Sequence, residues 1–509
     1  MINLSTWAFL MSFFTLLSKI LGFAREALLT KKFGATALTD AFVISWNIPL
    51  VIFGGIATAL LTCYVPMYNS VKMQGKKEVD KFNSNLITMV VLISLIIIGL
   101  FLMFDETIIR TFFIRKHKTE MIAYAVKFSN IMIWSMLFLG ISFILQGYVQ
   151  VHEKFTVVGL MGIPLNLIMI AAMLIGTTQN YLWLGVGVTA GYAFYLPYFG
   201  IPAYRSGFRY RPRLDFKDEN VRKIVLLVIP VFLGRMVFDI NLTVDRYLAS
   251  GLAAGIVTCM YAANKLNLLV NSVVVTSVGT TIFPRISRLT KEGDMLTVKK
   301  TLATSLGSMS VFLVPISFAM IAMSELIVAT AFMRGEFTAE MVGWTAGAVR
   351  FYSISIVSLG WRQIMEKVFY AIEDTKTPMI NSVISIAINI ILNLLLVGPM
   401  GHRGLALATA ISSIITALLF FVNLQRKIGR FGGRQLLQSL IRIALSAFVM
   451  ALVGKTVSTL LSAFVGSNLI KLGITTLICM AVYYAMLRAL RVRELRMALD
   501  MLRRRRARA

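Results

Sequence analysis

Apolar stretches long enough to cross a bilayer recur along the whole chain, each closed by a short polar break. An α-helix needs about 20 apolar residues to span roughly 30 Å of hydrocarbon. Marking runs and breaks predicts fourteen spans, at 5–33, 41–70, 83–104, 121–149, 156–177, 181–203, 221–249, 256–283, 301–328, 341–371, 377–399, 404–424, 437–462 and 467–490. No alternation of period two runs through them, which excludes a β-barrel. The pattern therefore predicts an all-α polytopic membrane protein with fourteen transmembrane helices.

Composition agrees. Of 509 residues, 58% are apolar and 15% charged, with a mean hydropathy of +0.78. Soluble proteins run nearer 25% charged. The net charge of +28 is explained by topology before nucleic acid need be invoked. With the N-terminus in the cytoplasm, the inner loops and C-terminal tail hold thirty Lys and Arg residues and the outer loops six. Cytoplasmic loops collect such residues, so both termini are expected inside. The RRRR run at 503–506 reads as a basic tail in contact with water or anionic membrane lipids, not as a nucleic-acid site. The first apolar stretch has no basic leader and no A-x-A-like cleavage site, and it carries Lys19, so it reads as a retained helix. Cys63, Cys259 and Cys479 all fall in apolar runs and read as small buried hydrophobes. Three histidines lack ligand spacing, and no Walker A, G-x-S-x-G or HExxH motif is present. No metal site and no enzyme activity are expected.

Two echoes suggest an internal repeat. TCYVPMYNS at 62–70 resembles TTIFPRISR at 280–288, placing Pro66 and Pro284 218 residues apart. LGVGVTAG at 184–191 resembles GLALATAI at 404–411, offsetting Thr189 and Thr409 by 220. The reading is a six-helix lobe over 1–215 and a second over 216–425, related by a pseudo-twofold along the membrane normal. Two further helices over 426–490 and a basic tail over 491–509 complete the chain.

Charge inside the spans is the chemically informative part, because a charge at mid-bilayer costs about 2.5–3.5 kcal/mol on insertion scales. Span 1 holds Lys19, Arg25 and Glu26, span 2 opens with Asp40, and span 8 holds Lys265. Span 7 carries Arg235, Asp239, Asp245 and Arg246, and span 10 carries Arg362, Glu366 and Lys367. Arg235–Asp239 and Arg362–Glu366 have the i, i+4 spacing of internal pairs. Lys19, Arg25 and Lys265 lie on the first two helices of each repeat, where a transporter of this symmetry lines its cavity. A cationic cavity suits an anionic cargo, since Lys and Arg recognise phosphate by charge and Arg also by its bidentate fork. A second set combines Asp245, Asn389, Asn393 and Thr409. It would suit a monovalent cation such as sodium, although interhelical hydrogen bonding is the usual job of Asn in membrane helices.

At these residues a resemblance emerges. SKILGFAREALLTKKFG at 18–34 and TDAF at 39–42 resemble the opening of the MurJ/MviN family. VDRYLASGL at 244–252, YAANKL at 261–266, FPRIS at 283–287, RGEFT at 334–338 and FYAIEDTKTP at 369–378 extend the likeness. Those proteins are lipid II flippases of the multidrug/oligosaccharidyl-lipid/polysaccharide exporter superfamily. The resemblance implies two lobes around a cavity and a groove for the lipid tail on helices 13 and 14. It implies alternating-access transport of undecaprenyl-pyrophosphate-linked peptidoglycan precursor from the inner to the outer leaflet of the bacterial inner membrane. It maps substrate binding to Lys19, Arg25, Glu26, Asp40 and Lys265. Many members carry Arg after the helix 2 proline, where this chain reads NIPLVIFGG with no basic residue. Cell-wall synthesis proteins are the further partners it implies. A flippase for an O-antigen or exopolysaccharide carrier follows the same charge logic. A cation-coupled drug exporter would want carboxylates in place of these cations.

Overall fold

The computed structural model describes residues 4–115 and 118–495. Lys116, the tail from Arg496 onward (RRRR at 503–506 included) and the side chains of Arg235 and Pro284 lie outside the described residues. The secondary structure described is helical throughout. The helices used below are α1 (Leu4–Phe33), α2 (Ala37–Lys72), α3 (Lys76–Met103), α4 (Thr119–Val151), α5 (Phe155–Ile175), α6 (Trp183–Arg205) and α7 (Glu219–Ser250). They continue as α8 (Ile256–Lys291), α9 (Met295–Ala322), α10 (339–371, interrupted at Ser355), α11 (Lys376–Met400), α12 (His402–Ile428), α13 (Gly433–Leu461) and α14 (Asn468–Ala489). Among the described residues ten are long and apolar enough to cross a membrane: α2 to α6, α9 and α11 to α14. The others, α1, α7, α8 and α10, are the helices in which the sequence placed most of its intramembrane charge.

The chain forms two compact units. The first comprises Met1–Thr258 together with Arg334–Phe337. Its helix ends follow local chemistry. α1 stops at Gly34, whose φ of +65° suits glycine. α2 opens with a capping box: the Thr36 N–H donates to Thr39 Oγ1 at 2.8 Å while Thr36 Oγ1 accepts from the Thr39 N–H. Inside α2, Pro49 lacks the N–H that would continue the ladder, and a π-helical turn follows over Leu50–Gly54. The NIPLVIFGG segment is thus a built-in irregularity. Around it Phe42, Phe53, Tyr64, Phe82 and Phe128 are fully buried, and Tyr64 donates to Asn83 Oδ1 at 2.6 Å.

The RGEFT segment belongs to this first unit through four residues. The Glu336 N–H donates to the Lys31 carbonyl at 2.9 Å, and Phe337 is buried. Gly335 has φ +58°, and a Cβ there would lie 2.2 Å from the Lys31 oxygen. Left-handed backbone and steric overlap both oppose any side chain. Gly335→Ala is therefore expected to destabilise the protein by at least about 2 kcal/mol, read as a lower melting temperature of the purified full chain. An unchanged melting temperature would reject this packing.

The second unit comprises Cys259–Met333 and Thr338–Ala509. α13 and α14 pack on α9 through Val314, Ile443, Ala447, Leu487 and Val492. A second cluster joins Met323, Met450 and Cys479. An apolar groove of about 380 Å³ runs between α9, α10 and α13, lined by Val314, Phe318, Ile321, Val357, Leu440 and Ala444 among others. In FYAIEDTKTP, Asp374 accepts the Thr377 N–H at 3.0 Å and pairs with Lys427. Burial alone would raise the Asp374 carboxyl, but these partners hold it down at about 2.

Candidate functional site

Arg25 is buried in the first unit at 5% exposure, and Glu26 at 2%. Adjacent positions on a helix point about 100° apart, yet the long guanidinium folds back. Its Nη2 donates to Glu26 Oε1. Its Nη1 donates to Asn166 Oδ1 at 2.9 Å and contacts Met169 Sδ at 3.4 Å. The guanidinium carbon sits 4.4 Å from the Trp46 ring centroid. Asn166 is fixed in turn, donating to the Gly162 carbonyl at 2.8 Å and the Ser18 carbonyl at 3.2 Å. Two of the three functional candidates of α1, Arg25 and Glu26, therefore form a buried ion pair, held by an amide from α5 and an aromatic face from α2. Lys19, on the same helix nearer its N-terminus, is exposed.

Asp40 is 1% exposed and forms no ion pair among the described residues. Its Oδ2 accepts the Gly255 N–H at 2.7 Å. Its Oδ1 accepts both the N–H and the hydroxyl of Thr258, each at 2.7 Å. These groups belong to the first turn of α8 and the residue before it, so Asp40 caps that helix from a distance in sequence. The first N–H groups of a helix lack internal partners and carry partial positive charge, which a carboxylate satisfies. Gly255, at φ +90°, allows the approach, since a Cβ there would lie 2.0 Å from the Ala35 oxygen.

A cavity of about 430 Å³ in the first unit is lined by Asn47, Thr58, Tyr192, Tyr195 and Asp239 together with leucines, Phe143 and Met161. Leu50 and Gly54, from either end of the π-helical turn, also line it. Asp239 is 7% exposed. The sequence had treated it only as a pairing partner for Arg235.

In the second unit Lys265 is half-buried, its ammonium 4.8 Å from the centroid of Tyr261 one turn earlier. Two residues on, Asn267 donates to the Tyr352 carbonyl at 3.2 Å and the Ser355 hydroxyl at 3.4 Å, at the break in α10. Asn389 and Asn393 do meet: Asn393 Nδ2 donates to Asn389 Oδ1 at 3.0 Å. Asn389 Nδ2 donates to Ser412 Oγ at 3.3 Å and Thr409 Oγ1 at 3.5 Å. Asp245 belongs to the first unit and is half-buried. Among the described residues Arg362 and Glu366 form no ion pair; Glu366 accepts the Tyr370 hydroxyl at 2.6 Å instead. That bond runs one turn further along the same helix and occupies the carboxylate.

Asn166, Trp46, Ser412 and Asn267 escaped the sequence reading. Only Asn166 left a signal, as the one amide in an apolar α5 run, GIPLNLIMIAAMLI.

Such a fold, with helices that span a membrane and charge deliberately buried in them, defines a polytopic membrane transporter. Comparison makes the class particular: the model of the family described as "Lipid II flippase MurJ" matches residues 29–475, and the chain belongs to that family. It is similar to probable lipid II flippases MurJ of Haemophilus influenzae (26% identical, 86% of this chain and 89% of that protein) and Rhizobium tropici (26%, 92% and 91%). That of Rickettsia prowazekii is 24% identical over 79% of this chain and 80% of its own. Among solved structures, a lipid II flippase MurJ in an inward closed conformation aligns at TM-score 0.81 with 25% identity, covering 94% of this chain and 98% of that one. An inward-facing multidrug resistance MATE family transporter of the MOP superfamily shares the fold at TM-score 0.64 and 10% identity, covering 81% and 94%.

Proposed function

We propose that this protein moves lipid II, the undecaprenyl-pyrophosphate-linked peptidoglycan precursor, from the inner to the outer leaflet of the bacterial inner membrane by alternating access. The buried Arg25–Glu26 pair carries the reading. An anion offered to Arg25 can take the place of Glu26 while Asn166 and Trp46 keep the guanidinium in position. Lys19 and Lys265 supply further cations for the pyrophosphate, and Asp40 acts as a positioning residue by fixing the start of the helix that carries Lys265. The apolar groove beside α13 takes the lipid tail. Asn389 serves as an interhelical hydrogen-bond donor from α11 to Thr409 and Ser412 of α12, with Asn393 donating to it from one turn along α11, so these amide N–H groups already point at neighbouring oxygens. The cargo crosses without any bond being made or broken. The decisive experiment is depletion of the protein followed by identification of the lipid-linked precursor retained on the inner leaflet. Lipid II is expected. Retention of an O-antigen or exopolysaccharide carrier, with lipid II distribution normal, would overturn the proposal.

The full arrangement in this reading is fourteen spans in two six-helix lobes plus α13 and α14, with both termini cytoplasmic. Cysteines introduced at 112 and 334 should then react with an impermeant thiol reagent in intact cells, and those at 75 and 209 should not. The reverse pattern would reject the orientation.

A further inference from the structure

The segment 206–218, between α6 and α7, is not a slack loop. The Arg211 N–H donates to Ser84 Oγ at 3.1 Å. Asn85 and Asp215 exchange two bonds, Asn85 Nδ2 to the Asp215 carbonyl at 2.7 Å and the Asp215 N–H to Asn85 Oδ1 at 2.9 Å. The Tyr210 hydroxyl lies 3.0 Å from Thr88 Oγ1. The strap is therefore pinned along residues 84–88 of α3. Overlapping that stretch, the eighteen residues 86–103 carry no charge and are apolar apart from Thr88 and Ser94, about 27 Å at 1.5 Å per residue, which matches the hydrocarbon core. That run exposes Leu92, Ile93, Leu95, Ile96 and Leu100, the expected lipid-facing side. The strap thus lies at the level where hydrocarbon gives way to head groups.

Its composition fits that level. Phe208 is buried, whereas Tyr210, Leu214 and Phe216 are 45%, 49% and 64% exposed. Between them Arg209, Arg211, Arg213 and Lys217 are exposed. Aromatic side chains belong at the interface, and basic ones there attract anionic lipid. Four of the nearby acids are already engaged. Asp215 pairs with Arg213 at 2.8 Å, Asp218 caps α7 through the Asn220 and Val221 N–H groups, Glu219 pairs with Lys223 and Glu78 with Lys81. Arg209 stacks on Tyr204 at 3.9 Å and donates to the carbonyls of Tyr204 and Phe208, yet stays exposed.

We propose that this pinned basic and aromatic strap is a binding site for anionic phospholipid head groups of the cytoplasmic leaflet, distinct from the cargo site. Phe216 and Leu214 dip into the acyl boundary while Arg211, Arg213 and Lys217 meet the phosphates. The anchor fixes the one covalent connection between α6 and α7 to the membrane surface. It does not depend on what the protein transports.

The test uses the full chain in phosphatidylcholine vesicles, with a fluorophore on Phe216→Cys; the native cysteines are buried. Dibrominated phosphatidylglycerol and dibrominated phosphatidylcholine are compared as quenchers at equal low fractions. Phosphatidylglycerol should quench preferentially, by at least about fivefold in apparent affinity, the contribution of one basic residue at the surface. The preference should collapse in an Arg211→Gln, Arg213→Gln, Lys217→Gln triple variant and in high salt. A label at Ile96→Cys, on the exposed face of α3, should be quenched by both lipids in both backgrounds, showing that the triple variant is inserted and folded. Equal quenching at 216 by the two head groups overturns the proposal. So does a label at 216 that neither lipid reaches, which would turn the strap toward water and a protein partner.

Discussion

Arg25→Ala is expected to abolish transport and also to weaken the protein, and the two losses can be separated. The substitution removes the Arg25 guanidinium from the Glu26 carboxylate, which is buried at 2% exposure. Breaking a buried pair in this way typically costs 3–5 kcal/mol, or on the order of that here. A dead single variant is therefore ambiguous between lost cargo contact and lost folding. The double variant Arg25→Met, Glu26→Gln removes both charges and keeps the volume, a change that is often neutral for stability. It should melt near the parent protein and still fail to flip, because a lost contact to a desolvated phosphate costs about 2–5 kcal/mol, roughly 30-fold or more in binding. Arg25→Lys should rank between the two. It keeps the charge but cannot serve Glu26, Asn166 and the Trp46 face together. The measurements are thermal unfolding of the purified protein and leaflet accessibility of lipid II in vesicles. Normal flipping by the double variant would make the pair structural and remove the main support for an anionic head group at this site.

The Arg25 site shows what a sequence can and cannot carry. An Arg and a Glu inside an apolar run announce themselves, because such charges are expensive and need a reason. Their proximity is local, so the pair itself was legible. Asn166 is 141 residues away and Trp46 is 21, and no periodicity within α1 points to either. The same distinction governs α2. Pro49 marks a break in the ladder, so an irregularity could be read there. That the ladder recovers through a π turn, with both ends on a cavity, depends on neighbours. RGEFT was recognisable as a motif, but its reason was not. Gly335 is required by a carbonyl of Lys31, three hundred residues earlier in the chain.

Asp40 gave the least away, because its environment reverses the obvious inference. A carboxylate at the start of a membrane helix, following a motif that carries Lys31 and Lys32 near its end, reads as a partner for cations. Instead its oxygens accept from the Gly255 N–H and from the N–H and hydroxyl of Thr258. A cap supplied across more than two hundred residues leaves no local signature, unlike the Thr36–Thr39 box, which sits within four residues of sequence.

This geometry predicts a graded series at Asp40. Asp40→Ala removes every acceptor and exposes the first N–H groups of α8 to an apolar surrounding. Each hydrogen bond to a charged group contributes about 1.5–3 kcal/mol, so a loss of more than about 3 kcal/mol is expected. Asp40→Asn keeps one oxygen, which can still serve the Thr258 N–H and hydroxyl. Its amide nitrogen then faces the Gly255 N–H, donor against donor, so one bond and the charge are lost together. Thr258→Val deletes only the hydroxyl bond and should be the mildest change. Hydrogen exchange at the amides of residues 255–258, read by mass spectrometry on the full protein, should accelerate in the order Thr258→Val, Asp40→Asn, Asp40→Ala. Transport should fall in the same order, since Lys265 lies seven residues past Thr258 on the same helix, about 10 Å along its axis. A loosened first turn leaves that cation poorly placed. Unchanged exchange in Asp40→Ala would show that α8 holds its start without the carboxylate. Loss of transport with exchange unaltered would return Asp40 to direct contact with the cargo.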